Sequence, residues 1–291
     1  MENNGEPVSF WHDVPLCECS LVRVYPTFNL HGADPDANNK SIINFVVEIP
    51  RWTDGKIEIQ REELLNPIFH DTNDNGPRFV ESVWPHKSYP FIYGSIPQTW
   101  ESPNFEHNFT NFEGDNDPMD LFDIGQDVGY VGQVKQIKVL GCLALNDGNE
   151  TDWKVLGIDV EDPIAHLVES YEDVEKYRPG VVKAYRDWFT YYKLARGDGI
   201  LEIVGDYYQS PEFCVDVIEE SHGFWEELVA GTVDTNEINY NQTSNPDLES
   251  YAGNVTALDI PSESDVQPPA ERPAAYNDWF YIKQEYSLIE V

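Results

Sequence analysis

Positive charge is what this chain has least of. Eighteen Lys and Arg stand against 53 Asp and Glu, a formal net charge of −35 over 291 residues. A surface so anionic repels nucleic-acid phosphates and anionic lipid headgroups, which disfavours both as partners. No apolar run approaches the ~18 residues that cross a bilayer. Met1–Val8 has neither a cationic start nor an apolar stretch, so no signal peptide is visible. The four cysteines, Cys17, Cys19, Cys142 and Cys214, form no CxxC pair. That disfavours a zinc ribbon or thioredoxin-like motif and leaves buried or incidental thiols as the expectation. No internal repeat is visible, and no Ser or Cys nucleophile stands with an evident His base.

Aromatic and β-branched residues are plentiful. Apolar residues make up 41% of the chain and aromatics 13%, enough for a real core in one large domain or two small ones. Ile42–Ile49 is a β-branched run ended by Pro50, and Lys56–Gln60 alternates strictly; both predict strands. Gly129–Leu145 predicts a long strand with bends at Gly132 and Gly141. Asn146-Asp-Gly-Asn149 then reads as a hairpin turn into a strand over Trp153–Ile158. After Pro179, Val181, Val182, Tyr185, Phe189 and Tyr192 recur at helical spacing. Cys214, Val217, Ile218, Trp225, Leu228 and Val229 do the same, with Gly231 as the stop. Residues 17–40 read as a long loop or insertion. Thr232–Ala275 is rich in Pro, Ser, Asn and Asp and predicts an extended or poorly ordered tail. Trp279–Ile282 restores apolar character and predicts docking of the chain's end. The pattern is α+β: a barrel or strongly bent sheet carrying helices. Four N-glycosylation sequons begin at Asn108, Asn149, Asn241 and Asn254, and they matter only in a secretory route.

The densest chemistry is Asp115-Asn-Asp117-Pro-Met-Asp120. Three carboxylates within six residues repel one another unless cations neutralise them, and hard oxygen donors suit ions such as Mg²⁺. Met119 and Asp120 stand where an EF-hand loop needs its fifth ligand and its glycine, so that alternative fails. Asp71–Gly76 is a weaker look-alike, with Ser82 at the twelfth position, and reads as a surface turn. Lys56 with Glu58, and Asp152 with Lys154, are two apart on predicted strands and so share a face. Glu48 ends the preceding strand and Asp147 sits at the hairpin turn. Tyr192-Lys193 follows a predicted helix, near Arg178 and Arg196.

Together these features resemble the family I soluble inorganic pyrophosphatases, eukaryotic type. The Asp115–Asp120 hexapeptide matches the family signature. Val46-Val-Glu48-Ile-Pro-Arg-Trp52, Tyr93-Gly with Pro97-Gln-Thr-Trp100, Gly132-Gln-Val-Lys-Gln136 and Glu150-Thr-Asp152-Trp-Lys154 follow the same branch in the right order, over about Glu6 to Ile282. The resemblance implies an OB-like β-barrel with helices packed on it, a homodimer through Arg51, Trp52 and Trp279, and Mg²⁺-dependent hydrolysis of pyrophosphate to two phosphates. It implies metal ligands at Asp115, Asp120, Asp147, Asp152, Glu58 and Glu48, and a general base at Asp117. Lys56, Arg78, Tyr93, Lys154, Tyr192 and Lys193 would bind the phosphoryl groups.

The charges agree with that assignment. Seven of these side chains are carboxylates and four are cations, so an anionic substrate enters only with several metal ions to balance it. The expected division is a catalytic domain over 1–231 and a tail over 232–291 that packs back on it. The alternative is a catalytically weak, metal-binding family member with a regulatory or interaction role. A cytoplasmic location is the default, with secretion as the alternative that the sequons and the acidity suggest.

Overall fold

The computed structural model describes residues 2–3, 6–17, 41–73, 76–253, 255 and 270–282. The expected insertion thus lies almost wholly outside the described residues, as does much of the tail beyond 253.

The strands follow the sequence pattern closely. β1 (Ile42–Ile49) is buried over almost its whole length, as a β-branched run covered on both faces should be. β2 (Ile57–Ile59) and β3 (Ile68–His70) form a hairpin beside it. β4 (Ile92–Ser95), β5 (Glu113–Gly114) and β6 (Asp120–Asp123) are short. β7 (Val134–Asp147) and β8 (Glu150–Asp159) make a long hairpin. Its turn residues Gly148 and Asn149 have φ of 69° and 73°, values that Gly and Asn tolerate best. β7 shifts register against β8 between Val139 and Gly141, the bulge anticipated at that glycine.

Strand pairing runs β8–β6–β4–β1–β7, and β7 also pairs with β8, so the hydrogen bonding closes a ring of five strands. Only the β6–β8 contact within the ring is parallel; Asp120 lies in register with Lys154 there. β5 adds to β8, and β9 (Glu202–Gln209) adds to β7. The sheet is therefore mixed and the chain is α+β.

Helices pack against this ring. α1 (Tyr171–Tyr177) and α2 (Val181–Tyr191) share a core cluster with Phe91, Phe122, Leu143 and Leu156, to which Trp188 and Phe189 contribute fully buried rings. Each such ring stabilises the fold by roughly 1.5–3 kcal/mol. α3 (Pro211–Val229) begins at Ser210, whose hydroxyl accepts from the Phe213 amide at 3.3 Å, with Pro211 in the first turn. Ser210→Ala would cost about 1 kcal/mol through that cap. The buried face of α3 carries Cys214, Val217 and Ile218 into a second cluster with Phe45, Met119 and Leu121. Among the described residues, no helix is long and apolar enough to cross a membrane.

One expectation needs correction. Cys142 on β7 and Cys214 on α3 are joined in a disulfide across 72 residues, and Cys17 is disulfide-bonded as well, so these are not incidental thiols. Both residues of the first pair point into one core cluster, and their Cα atoms lie 5.8 Å apart, within bridging range. Spacing along the sequence carries no trace of that proximity. The tail, expected to be extended or poorly ordered yet to pack back on the domain, is irregular, and its described part over 232–253 is anchored. Asn239 accepts from Asn66 at 3.0 Å, Thr243 and Ser244 donate backbone amides to Asp13, and Ile238, Gln242 and Ser250 are buried. A polar segment can dock where its backbone finds such partners. Trp279–Phe280 pairs parallel with Ser82–Val83, the docking that its apolar character predicted.

Candidate active site

A cavity of about 330 Å³ opens on one side of the ring. All thirteen residues singled out from the sequence line it: Glu48, Lys56, Glu58, Arg78, Tyr93, Asp115, Asp117, Asp120, Asp147, Asp152, Lys154, Tyr192 and Lys193. Each arrives by a local rule. Glu48 comes from the end of β1, with its carboxylate accepting from the Ile59 amide at 3.1 Å. Lys56 and Glu58 share a face across β2 and pair at 2.7 Å. Asp120 and Lys154 face one another because β6 and β8 are parallel and in register. Asp147 ends β7, where it pairs with Lys193 beyond the end of α2. Tyr192 stacks on Trp188, with ring centroids 4.5 Å apart, and this fixes the helix end that presents Lys193.

The acidic turn is held by its asparagine. Asn116 sits at φ 72° and accepts from the Trp100 indole at 3.1 Å while donating to Asn236 at 3.0 Å. The Asp117 amide in turn donates to Asp115 at 3.1 Å. These bonds aim Asp115 and Asp117 into the cavity without using the side chain of Asp117.

The cations present are all engaged by carboxylates. Lys154 donates to Asp120, to Asp152 and to the Tyr93 hydroxyl (3.0 Å), and Tyr93 donates to Asp120 at 2.5 Å. Arg78 pairs with Asp71 at 2.5 Å. The Asp71 look-alike turn therefore opens onto the site's cations rather than acting as an isolated surface feature; residues 74–75 of it lie outside the described residues.

Electrostatics mark the cavity as overfilled with negative charge. Burial raises Glu48 well above the usual carboxylate range, and the charges of Asp120 and Glu58 add to it. Burial raises Glu58 to about 7 against the pull of Lys56, and Asp152 to about 6 against Lys154. Asp115 is pushed well up by burial and then by Asp117 and Asp152. Asp117 is raised by its enclosure among the site's residues, against the Arg61 guanidinium. Burial opposes the Lys154 charge, yet Asp120 and Asp152 overcome it and hold the ammonium well above the usual lysine range. Carboxylates that resist ionisation side by side are suited to cationic ligands.

Arg61, Tyr89 and Glu150 in the cavity wall, and Glu101 behind its carboxylates, escaped the sequence reading. Arg61, just past β2, pairs with Asp117 at 2.8 Å. Glu101 brings one oxygen within 4.8 Å of oxygens of Asp115 and Asp152. Its Oε1 accepts from the Trp153 amide at 2.8 Å, but its buried Oε2 has no partner. Tyr89 and Glu150 complete the wall, with Arg196, which the sequence placed near Lys193. Arg178, expected near Lys193, instead pairs with Asp162 outside the cavity. The scarcity of cations was the one signal that could have drawn attention to Arg61; nothing in the local sequence marks Glu101.

Two buried carboxylates, Glu101 and Asp152, converging with half-buried Asp115 and leaving one Glu101 oxygen orphaned, fit divalent metal. Hard cations there would satisfy Glu101 and release Lys154 toward an anionic substrate.

The inorganic pyrophosphatase family matches residues 45–226. The inorganic pyrophosphatase of Zygosaccharomyces bailii is 43% identical over 285 residues, covering 97% of this chain and 92% of its own. That of Schizosaccharomyces pombe is 39% identical, with 97% and 91% covered. Among solved structures, the inorganic pyrophosphatase of Schistosoma japonicum superposes with a TM-score of 0.81 at 34% identity, covering 97% of this chain and 94% of that one. A truncated vacuolar soluble pyrophosphatase of Trypanosoma cruzi, solved in complex with PPi, gives 0.65 at 38% identity, with 76% and 79% covered.

Proposed function

Since the chain belongs to the family I soluble inorganic pyrophosphatases of the eukaryotic, fungal-like type, we propose a division of labour among its residues for the reaction. It hydrolyses inorganic pyrophosphate to two orthophosphates. The observation that carries the assignment is that all thirteen sequence-matched residues line one cavity.

Asp115, Asp120, Asp147, Asp152, Glu58 and Glu48 hold divalent metal, which we take to be Mg²⁺ from the hard oxygen donors and the anionic substrate. Bound there, the metal supplies neutralisation of phosphoryl charge and a lowered pKa for attacking water. Asp117 accepts the proton of that water; it projects into the cavity from a turn fixed by Asn116. Lys56, Arg78, Tyr93, Lys154, Tyr192 and Lys193 bind and orient the phosphoryl oxygens, so that the P–O bond breaks opposite the attacking water. Lys154 is already aimed into the acidic ring, where it screens Asp120 and Asp152. Attack by water needs no covalent intermediate on the protein.

The closed five-strand ring supports an OB-like barrel. We read 1–231 as the catalytic domain and 232–291 as a tail on the same domain; the anchoring of Asn239 and Thr243 supports this. Trp52, 63% exposed, supports a homodimer through Arg51, Trp52 and Trp279. For compartment, the Cys142–Cys214 disulfide favours secretion over the cytoplasmic default, because reducing compartments keep thiols reduced.

The test is phosphate release from pyrophosphate in metal-free buffer, with Mg²⁺ titrated in and then chelated. Release should appear with Mg²⁺ and vanish with EDTA. Full activity under chelation overturns the metal assignment, and no release at any Mg²⁺ concentration restores the catalytically weak alternative.

A further inference from the structure

We propose that Asn108 and Asn149 carry N-linked oligosaccharides, acquired in the oxidising compartment where the Cys142–Cys214 disulfide forms. The proposal rests on the secreted reading of location and is independent of the hydrolytic chemistry. Four sequons are present, and the structure separates them. Asn108-Phe-Thr110 and Asn149-Glu-Thr151 both place their asparagine in solvent. Among the described residues neither side-chain amide makes a hydrogen bond. Their threonines turn inward and bond to each other, Oγ1 to Oγ1 at 2.6 Å, and Thr151 also donates to the Phe112 carbonyl at 3.0 Å. The two sequons therefore form one patch, with both asparagines standing outside a shared buried contact.

Asn241 differs. It is half-buried in the anchored 232–253 segment, and its threonine, Thr243, bonds Asp13. Asn241 is thus less open to solvent than Asn108 and Asn149, and the proposal leaves it out. Asn254 lies outside the described residues.

The positive φ of Asn149 accounts for an asparagine at that turn without any glycan, but no such constraint acts on Asn108. The disulfide is a second, separate mark of the same compartment. The chemistry is a glycosyl transfer. The asparagine amide nitrogen bonds the anomeric carbon of an oligosaccharide borne on a lipid diphosphate. The sugar–phosphate C–O bond breaks, the lipid diphosphate leaves, and the amide gives up one proton. Asn149 lies between Asp147 and Glu150, both of which line the cavity, so its glycan would stand at the site's mouth as a neutral hydrophilic rim.

The experiment uses the protein purified from its native source. Peptides mapped without reduction report the Cys142–Cys214 bridge. Deglycosylation by peptide N-glycosidase in ¹⁸O-water converts each glycosylated asparagine to labelled aspartate. Label at positions 108 and 149 and none at 241, with the bridge present, is the expected result. A bridge with both asparagines unlabelled overturns the glycan proposal and leaves the compartment reading standing. Free thiols with unlabelled asparagines overturn both. In a secreted recombinant chain, Asn108→Gln and Asn149→Gln should each remove one glycan's mass; unchanged mass in both overturns the assignment of sites.

Discussion

His12 is buried at 1% exposure, and its hydrogen bonds dictate its protonation. The Trp225 indole N–H, which can only donate, lies 2.9 Å from His12 Nδ1, so Nδ1 accepts. Nε2 must then carry the hydrogen and donate to the Asn239 carbonyl at 3.2 Å. The neutral ring is fully satisfied; protonation would set one N–H against another. Burial accordingly lowers its pKa from 6.5 to about 3, with the Asn239 carbonyl pulling only weakly the other way. The unfolded chain takes up this proton near pH 6.5, whereas the folded chain refuses it until about pH 3, so stability falls as pH falls between those values. At pH 5, roughly 1.5 pH units below the unfolded value, the loss is about 2 kcal/mol at ~1.36 kcal/mol per unit. That is a large share of a typical stability of about 5–15 kcal/mol. The assay is urea unfolding at pH 7.5 and pH 5, at one fixed protein concentration, for the wild type and for His12→Asn. The asparagine offers an acceptor near the Nδ1 position and does not titrate. Buried carboxylates such as Asp13, raised by burial, push the pH dependence the opposite way but are common to both proteins. The wild type should lose about 2 kcal/mol more than the variant between the two pH values. Equal losses would refute the neutral, buried reading of His12.

Asp117→Asn should remove about 10²–10⁴-fold of turnover even at saturating Mg²⁺, since an amide cannot take the proton. Asp120→Asn should instead raise the Mg²⁺ concentration needed; Mg²⁺ titrations of phosphate release for both variants test the split, and near-normal saturated turnover in Asp117→Asn would remove it as the base. Replacing Cys142 and Cys214 together by alanine, which opens a loop spanning 72 residues, should cost ~2–4 kcal/mol in denaturant unfolding under oxidising conditions, and no loss would mean the bridge adds nothing to stability. Light scattering at micromolar concentration should give twice the chain mass, and Trp52→Glu should shift it toward the monomer because the ring is 63% exposed; a wild-type monomer would remove the dimer.

The strands were legible because their signals are local. The β-branched run of β1, the glycine bulge at Gly141 and the Asn-Asp-Gly-Asn turn each fix backbone geometry without help from distant residues. Closure of the ring was not legible in the same way. It depends on β8 pairing with β6 in parallel and with β7 in antiparallel, and no periodicity records which strands meet. Where the tail docks was hidden for a related reason. Its polar composition argues against a core, yet Asp13 and Asn66 supply partners from the far end of the chain that composition cannot reveal.

The site divides along the same line. Lys56 with Glu58 and Asp152 with Lys154 were readable because strand alternation puts them on one face, and both pairs do meet. Their convergence with Asp115 and Lys193 came only through resemblance, since these residues are tens of positions apart. Glu101 and Arg61 escaped because neither belongs to a dense acidic run or an alternating pair. Each becomes chemical only once folding sets it beside Asp115 or Asp117. Arg61 also limits what the acidic turn can do. Its guanidinium occupies Asp117 at 2.8 Å in competition with any other cation, so access to that carboxylate is a property of the β2 end as much as of the hexapeptide itself.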